Sequence, residues 1–320
     1  MTKSFRQFKN LIKKVNTPIY LSGHIKPDHD SICSCLSLAR LLEKLGKEAY
    51  VVLDANDMDI LSIHENKHLV VNDVTHEDYC FIALDMNESY RLGKFKKYFD
   101  CDNASIKINI DHHQGNRINA DLIIADQEKS STCEIIYNLI KSYGKMYLDA
   151  GIAECLYTGI MTDTSCFSRR LSPDTMKIAQ KLINYGVDYE RSIKATFSYR
   201  TLYELKALGV LIEEIKVADG LHYLVIDKSR EEFRNLTHNQ ITKTIAEELR
   251  KIEDMDIFLI FIVEGHIITT KCMSNVTKNA NLIAQQFGGG GHKGEAGFTV
   301  LNTTVEEILQ KTQEYLNSNK

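Results

Sequence analysis

The 320-residue chain has no CxxC pair among its eight cysteines, no internal repeat, and no excess of positive charge. It also lacks any apolar run near the ~20 residues that span a bilayer. Each absence excludes something. Without paired cysteines a thiolate-rich structural zinc site is ruled out. Several cysteines lie inside apolar runs such as Tyr79-Cys80-Phe81, and the first residues contain no hydrophobic signal region, so a reduced, cytoplasmic protein with no membrane segment is expected. Lys and Arg number 39 against 43 Asp and Glu, a net charge of -4. That balance argues against a nonspecific grip on long nucleic acid, which leans on many cationic contacts to phosphates. A short anionic substrate held mainly by metal ions is compatible with it.

What the chain does have is four clusters of acidic residues and histidines: His24-Ile-Lys-Pro-Asp28-His-Asp30, Asp85, Asp111-His112-His113 and Asp163-Thr164. Three follow apolar, β-prone segments, namely Pro18-Ile-Tyr-Leu, Tyr79-Cys-Phe-Ile-Ala-Leu and Ile106-Lys-Ile-Asn-Ile. The fourth follows Leu156-Tyr-Thr-Gly-Ile-Met-Thr, which reads either as a helix end or as a short strand. In an open α/β sheet the carboxyl ends of the strands share one crevice, so clusters spread over about 140 positions can converge there. Asp28-x-Asp30, just past a proline, can aim two carboxylates at two neighbouring cations, and Asp85 could bridge both. Two divalent ions roughly 3.5–4 Å apart activate a water and steady the leaving oxygen of a phosphoryl group. Histidine nitrogen beside carboxylate oxygen suits Mn²⁺ or another first-row ion better than Mg²⁺. The pattern therefore predicts a two-metal hydrolase, with His29 between two of the carboxylates facing solvent.

These clusters resemble the motifs of the DHH phosphoesterase superfamily, the last two as Asp111-His112-His113 and Gly159-Ile-Met-Thr-Asp163-Thr164. Phe287-Gly288-Gly289-Gly290-Gly291-His292-Lys-Gly-Glu-Ala296-Gly297-Phe298 is similar to the glycine-rich loop of the associated C-terminal domain, DHHA1. Both ends in one chain resemble the bacterial nanoRNase and pAp phosphatase subgroup over nearly the whole length. The resemblance implies two Mn²⁺ ions, one on His24, Asp28 and Asp85, the other on Asp30, Asp85, His112 and Asp163. His113 is implied to touch the scissile phosphate or to orient a ligand, which makes Asp85, His112, His113 and Asp163 the catalytic set. Substrate contacts are expected from Gly288, Gly289, Gly290, Gly291, His292, Arg169 and Lys271. Cys33 and Ser165 stand where the family usually has glycine, and Glu295 where it has alanine. The family also carries an arginine near Met273 that grips substrate phosphate. Thr270-Lys271-Cys272-Met273-Ser274-Asn275 has none, which leaves Lys271 as the expected stand-in.

The substrates so implied are very short RNA oligomers, the 3′-phosphate of 3′-phosphoadenosine 5′-phosphate (pAp), or linear dinucleotides such as pApA; a homodimer is left open. Three alternatives are a family II inorganic pyrophosphatase, a nucleotide-binding sensor that has lost turnover, and an exonuclease for longer strands, which the short length and acidic balance disfavour. Pro27-Asp28-His-Asp30-Ser-Ile-Cys-Ser34 looks like the opening motif of the first, but its basic Ser-Arg-Lys-Lys type motif is absent. Met273 speaks for the second, and the complete set of ligand residues speaks against it.

The expected fold is α/β: a mostly parallel-sheet DHH domain over 1–190, a helical linker over 191–213 and a smaller α/β DHHA1 domain over 214–320. Ile32, Leu36, Ala39, Leu42 and Leu45 form a helical stripe ended by Gly46, and Glu48-Ala-Tyr-Val-Val-Leu returns as a strand, which makes a βαβ unit. Ser131-Thr-Cys-Glu134 is a capping box that opens a helix. Arg169-Arg170 either meet substrate phosphate or cap a surface. The glycine run suits a place where backbone N–H groups approach an anion. His64, His68 and His76 read as surface residues, and Asp54, Asp57 and Asp59 as a loop without the spacing of a calcium site.

Overall fold

In the first half of the chain the apolar segments before three of the four clusters are strands of one sheet. The structure, a computed structural model, describes residues 2–54, 61, 68–196, 202–218, 221–234, 245–246, 248–249, 252, 256–274, 278–291 and 293–318. It divides into two units, Met1–Tyr199 and Arg200–Lys320. Among the described residues, no helix is long and apolar enough to cross a membrane.

In the first unit, α1 (Lys3–Lys14) leads into β1 (Ile19–Ser22), α2 (His29–Lys44), β2 (Ala49–Val52), β3 (Val70–Val71), β4 (Tyr79–Leu84), α3 (Lys96–Asp100), β5 (Ala104–Asp111) and β6 (Leu122–Ala125). Helices α4 (Thr132–Tyr143), α5 (Ala150–Asp163), α6 (Thr175–Ile183) and α7 (Tyr189–Thr196) follow. The strands pair in the order β3-β2-β1-β4-β5-β6, every pair parallel. The chain thus builds outward from β1 to one edge, then returns and builds outward from β4 to the other. The carboxyl ends of β1 and β4 flank the point where the order reverses, which is where such sheets bind ligands.

Both faces of the sheet are covered, and that is why its strands read as unbroken apolar runs rather than as alternation. On β4, Cys80, Ile82 and Leu84 enter the core formed with α2, α4 and α5. Tyr79, Phe81 and Ala83 enter the opposite core with Tyr20, Met86 and Phe99. Each fully buried Leu or Ile here contributes roughly 1.5–3 kcal/mol. Helix α2 starts because Asp28 Oδ1 accepts a hydrogen bond from Ser31 N (3.0 Å). It stops where Gly46, at φ 75°, lets Lys47 N reach back to Leu42 O (2.9 Å).

The capping box at α4 is half as foreseen. Ser131 Oγ accepts from Glu134 N (3.2 Å), but the Glu134 carboxylate does not turn back to Ser131. Fully buried, it accepts instead from Ser130 N (3.2 Å), Ser130 Oγ (2.6 Å), Ser172 Oγ (2.6 Å) and Thr175 Oγ1 (3.0 Å), and pairs with Lys129 (3.2 Å). Burial alone would raise its pKa; these hydrogen bonds overcome it and hold the group below the ordinary glutamate range. Glu134→Ala is expected to cost about 3 kcal/mol at neutral pH, because it strands the donors around it. A depressed carboxylate stabilises fully above its unfolded pKa, about 4.3, and loses that contribution as the pH falls toward the folded value. The gap in melting temperature between wild type and variant should therefore be constant near pH 7 and shrink below about pH 4. A gap that widens in acid would mean Glu134 is protonated in the folded chain.

The second unit holds α8 (Leu202–Glu213), β7 (Lys216–Ala218), β8 (Leu221–Asp227), α9 (Glu231–Arg234), β9 (Ile257–Glu264), β10 (Ile267–Ser274), α10 (Ala280–Gln285), β11 (Gly290–Gly291), β12 (Glu295–Leu301) and α11 (Val305–Ser318). Its sheet runs β11-β12-β10-β9-β8-β7, with β8 and β9 parallel and the other pairs antiparallel. Gly265-His266 makes the tight turn between β9 and β10, with Gly265 at φ 62°. The linker expected over 191–213 is two helices with separate loyalties. Ser192 of α7 bonds Thr158 of α5 in the first unit (3.1 Å), whereas Ala207, Leu208 and Leu211 of α8 join the core of the second.

Candidate metal centre

The first two clusters follow β1 and β4, the strands that flank the sheet's switch point, while Asp111 ends β5 and Asp163 ends α5. Past β1, His24 Nδ1 lies 2.9 Å from Ile25 O, and because a carbonyl only accepts, Nδ1 must donate. That turns His24 Nε2 toward Asp85 Oδ2 (3.5 Å) and Asp28 Oδ2 (3.9 Å). Asp85 follows β4 at φ 62°, a conformation short polar residues tolerate best, and its N–H is fixed on Ile110 O (3.0 Å). Its other oxygen, Oδ1, lies 3.5 Å from His112 Nε2 and accepts from Thr132 Oγ1 (3.0 Å). One carboxylate thus faces two histidine sets, one with each oxygen.

Asp30, on the first turn of α2, is 1% exposed. The N-terminus of α4 caps it: Thr132 N donates to Oδ2 (2.7 Å) and Cys133 N to Oδ1 (2.9 Å). The unfilled N–H groups and the positive end of that helix compensate a buried carboxylate. Asp163 is the last residue of α5, which settles its cluster as a helix end rather than a strand. Its Oδ2 lies 3.4 Å from His112 Nε2 and is buried with no hydrogen-bond partner. The helix can approach this closely because of Gly159, whose added Cβ would fall 2.3 Å from Cys133 Sγ and 3.1 Å from Asp30 Oδ1.

The structure brings together His24, Asp28 and Asp85, and separately Asp30, His112 and Asp163, with the donor atoms of each group within 4.8 Å of one another. Asp85, His112 and His113 form a third such group. Asp111 is no part of them. Fully buried, its Oδ1 accepts from His113 N (3.1 Å) and His113 Nδ1 (2.7 Å), and its Oδ2 from Asn116 Nδ2 (3.1 Å). His113 is thereby fixed with its proton on Nδ1. His29 is half-buried rather than solvent-facing.

The carboxylates of the site lie close enough to oppose one another's ionisation. Burial, then the charges of Asp85, Asp163 and Asp28, hold the Asp30 carboxyl well above the usual carboxylate range. Burial likewise raises Asp163, against the pull of His112 and Arg170. Burial would raise Asp85 too, yet His24, His112 and His113 keep it below that range. Burial would lower His24, but the Asp85 and Asp28 carboxylates push it up to about 9. Converging carboxylates, imidazole nitrogens and the orphaned Asp163 Oδ2 fit divalent cations of the first transition row.

Several residues of this site were not foreseen. Thr132, which the sequence shows only inside the capping box, holds two carboxylates of the site through its N–H and hydroxyl. Asn116 carried no signal in the sequence. Of the arginine pair, Arg169 Nε donates to Ser165 Oγ (2.7 Å), and it is Arg170 that reaches the site, on Asp163.

In the second unit the expectations need correction. Lys271 Nζ is engaged with Glu295 Oε1 at 2.7 Å, so the acid found at the family's alanine position occupies the proposed phosphate-binding cation. Met273 is 1% exposed in the core beside Leu224, Phe258 and Ile260. The glycine run is first a packing device. A Cβ at Gly289 would lie 2.2 Å from Gly297 O, and one at Gly291 would lie 2.6 Å from Ala296 Cα, because β11 lies tightly on β12. Gly288 is exposed at φ 74°, and a Cβ at Gly290 would meet only Asn281 Oδ1 at 3.8 Å. His292 lies outside the described residues, as do Asp57, Asp59 and His64. Gly289→Ala is expected to destabilise the second unit by about 1–3 kcal/mol, and Gly290→Ala by no more than about 0.5 kcal/mol. Urea unfolding of the two variants decides it; equal losses would mean the run is not sorted by packing.

Residues 18–160 match the DHH family, N-terminal domain, and residues 220–318 match the DHHA1 domain. The chain is 28% identical to the bifunctional oligoribonuclease and PAP phosphatase NrnA of Thermus thermophilus, over 98% of this chain and 95% of that protein. An exopolyphosphatase-related protein from Bacteroides fragilis shares its fold with a TM-score of 0.86, at 21% identity, over 99% of this chain and 98% of that one. RecJ of Thermus thermophilus, solved in complex with Mn²⁺, shares the fold with a TM-score of 0.54 at 12% identity, over 98% of this chain and 54% of that one.

Proposed function

Since the chain belongs to the DHH family and carries a DHHA1 domain, a metal-dependent phosphoester hydrolase, we propose that it cleaves very short RNA oligomers and the 3′-phosphate of pAp with two Mn²⁺ ions. The observation that carries the reading is Asp85, one oxygen toward His24 and the other toward His112. The full-length likeness to a bifunctional oligoribonuclease and PAP phosphatase supports the substrate class.

His24, Asp28 and Asp85 would hold one cation, and Asp30, Asp85, His112 and Asp163 the other. Bound there, the pair supplies Lewis acidity toward the phosphoryl group and a water acidic enough to attack near neutral pH. The remaining work falls to the chain. Thr132 keeps Asp85 Oδ1 oriented, and the α4 N-terminus orients Asp30 by donating to both of its oxygens and offsets part of its burial. Asp111 pins the proton of His113 on Nδ1 and so sets the ring that would touch the scissile phosphate or orient a ligand. In the DHHA1 unit Gly288 and Gly290, the members of the run that packing does not claim, are the proposed ligand contacts, together with His292. Arg169 and Lys271 are the proposed phosphate contacts from the two units; in the structure they are held by Ser165 Oγ and Glu295 Oε1. With Met273 in the core, the residue that spoke for a turnover-free sensor no longer bears on ligand binding.

Turnover with Mn²⁺ on pAp, a ribotrinucleotide, diadenylate and pyrophosphate tests the reading. Phosphate release from pAp and nucleotide release from the short RNAs are expected. Pyrophosphate as the preferred substrate would overturn it in favour of the pyrophosphatase alternative.

A further inference from the structure

Asp163 leaves α5 into a segment that coils in the disfavoured sense. Ser165, Cys166 and Phe167 have φ of 48°, 56° and 60°, and Arg170 follows at 51°. Side chains rarely enter this region because Cβ crowds the neighbouring carbonyl, and three residues in succession amount to a left-handed turn. Local bonds hold it in place. Cys166 N donates to Met161 O (2.8 Å), Phe167 N to Thr164 Oγ1 (3.1 Å) and Arg169 N to Thr164 O (3.1 Å). The Phe167 ring lies against Tyr157, centroids 5.7 Å apart.

The reversal returns Arg170 to the residue where it began. Arg170 Nη2 donates to the main-chain O of Asp163 (2.9 Å) and to its Oδ1 (2.7 Å). Oδ2 of the same carboxylate receives no hydrogen bond and faces His112 Nε2 at 3.4 Å. The guanidinium thus divides the carboxylate into one occupied oxygen and one open one. Arg170 is 53% exposed, and an ion pair at such a site adds little to stability. Strained backbone concentrates where function over-determines it, and here it is spent on aiming a single side chain at a candidate ligand.

We propose that Arg170 is a positioning residue for the second cation: by tying Oδ1 of Asp163 it presents Oδ2 to the ion shared with Asp30 and His112. The proposal rests on the two-cation reading above. Partners that hydrogen-bond a metal-ligating carboxylate change metal affinity about 10–100-fold when removed.

The test is Mn²⁺ titration calorimetry on full-length wild type, R170A and R170K, with melting temperatures measured free of metal. Wild type is expected to show two binding events. In R170A one should weaken about tenfold or more while the other holds, and the metal-free melting temperature should barely move. R170K should recover part of the loss, since an ammonium reaches Oδ1 but lacks the planar fork. Excess Mn²⁺ should restore kcat in R170A, which a merely structural role would not allow. If R170A fails to fold, R170M keeps the stem and carries the same expectation. A wild-type isotherm in these variants with only a raised KM would make Arg170 a substrate contact and overturn the proposal. Tighter Mn²⁺ binding would overturn it too, by showing that the guanidinium competes with the ion. If wild type itself binds no Mn²⁺, the two-cation reading fails and takes this inference with it.

Discussion

Asp85→Ala is expected to reduce kcat by at least ~10³-fold, about 4 kcal/mol of barrier, while leaving the fold intact. The size follows from position. Asp85 is 2% exposed, and each of its oxygens faces a different group of candidate ligands, so its loss empties both at once, unlike the loss of Asp28 or Asp163. The fold should survive because Asp85 sits after the strand end, and its main-chain bond to Ile110 O does not need the carboxylate. Two measurements separate the roles. Mn²⁺ at 100 times its Kd should stabilise wild type by about 2.7 kcal/mol and the variant by almost nothing. If the variant kept more than about a tenth of the wild-type rate, worth only ~1.4 kcal/mol, Asp85 would not be the shared ligand.

Met273→Arg is expected to destabilise the second unit by roughly 3 kcal/mol or more, with no gain in substrate affinity. The resemblance to a family with a phosphate-gripping arginine near this position suggests the opposite, a tighter grip. The core decides otherwise. Met273 packs against Leu224, Phe258 and Ile260, and an arginine there must either bury its guanidinium or push the strand out of register with β9. Its cross-strand neighbour Glu295 is already held by Lys271. Chemical unfolding and KM on the best substrate check both halves; wild-type stability together with a lower KM would show that the side chain reaches ligand after all.

The helix of Ile32 to Leu45 and the strand that returns after it were legible, because each is written in a local period or a terminal glycine. Three of the four clusters were legible for a similar reason: strands of an open parallel sheet end on one side, and polar residues at or just past their ends converge. The sequence could not show which side chains support the ligands. Thr132 and Cys133 meet Asp30 across more than a hundred positions, as the packing of α4 on α2 dictates. Glu134 looked like half of a cap and became a buried hub, because Ser172 and Thr175 are brought to it by α6. The glycine run suggested an anion loop, while β12 claims two of its members for close packing.

By itself, then, the sequence determined the donor chemistry of the site and the order of elements that would carry it, since both depend on residue type and on spacings of a few positions. Only the tertiary structure decided how that chemistry is held. It put Asp163 on a helix end, split Asp85 between two sets of histidines, turned Met273 inward and brought Arg170 back onto Asp163 through a left-handed turn. Those outcomes depend on which face a strand presents and on how closely two helices approach, and packing across the whole unit fixes both.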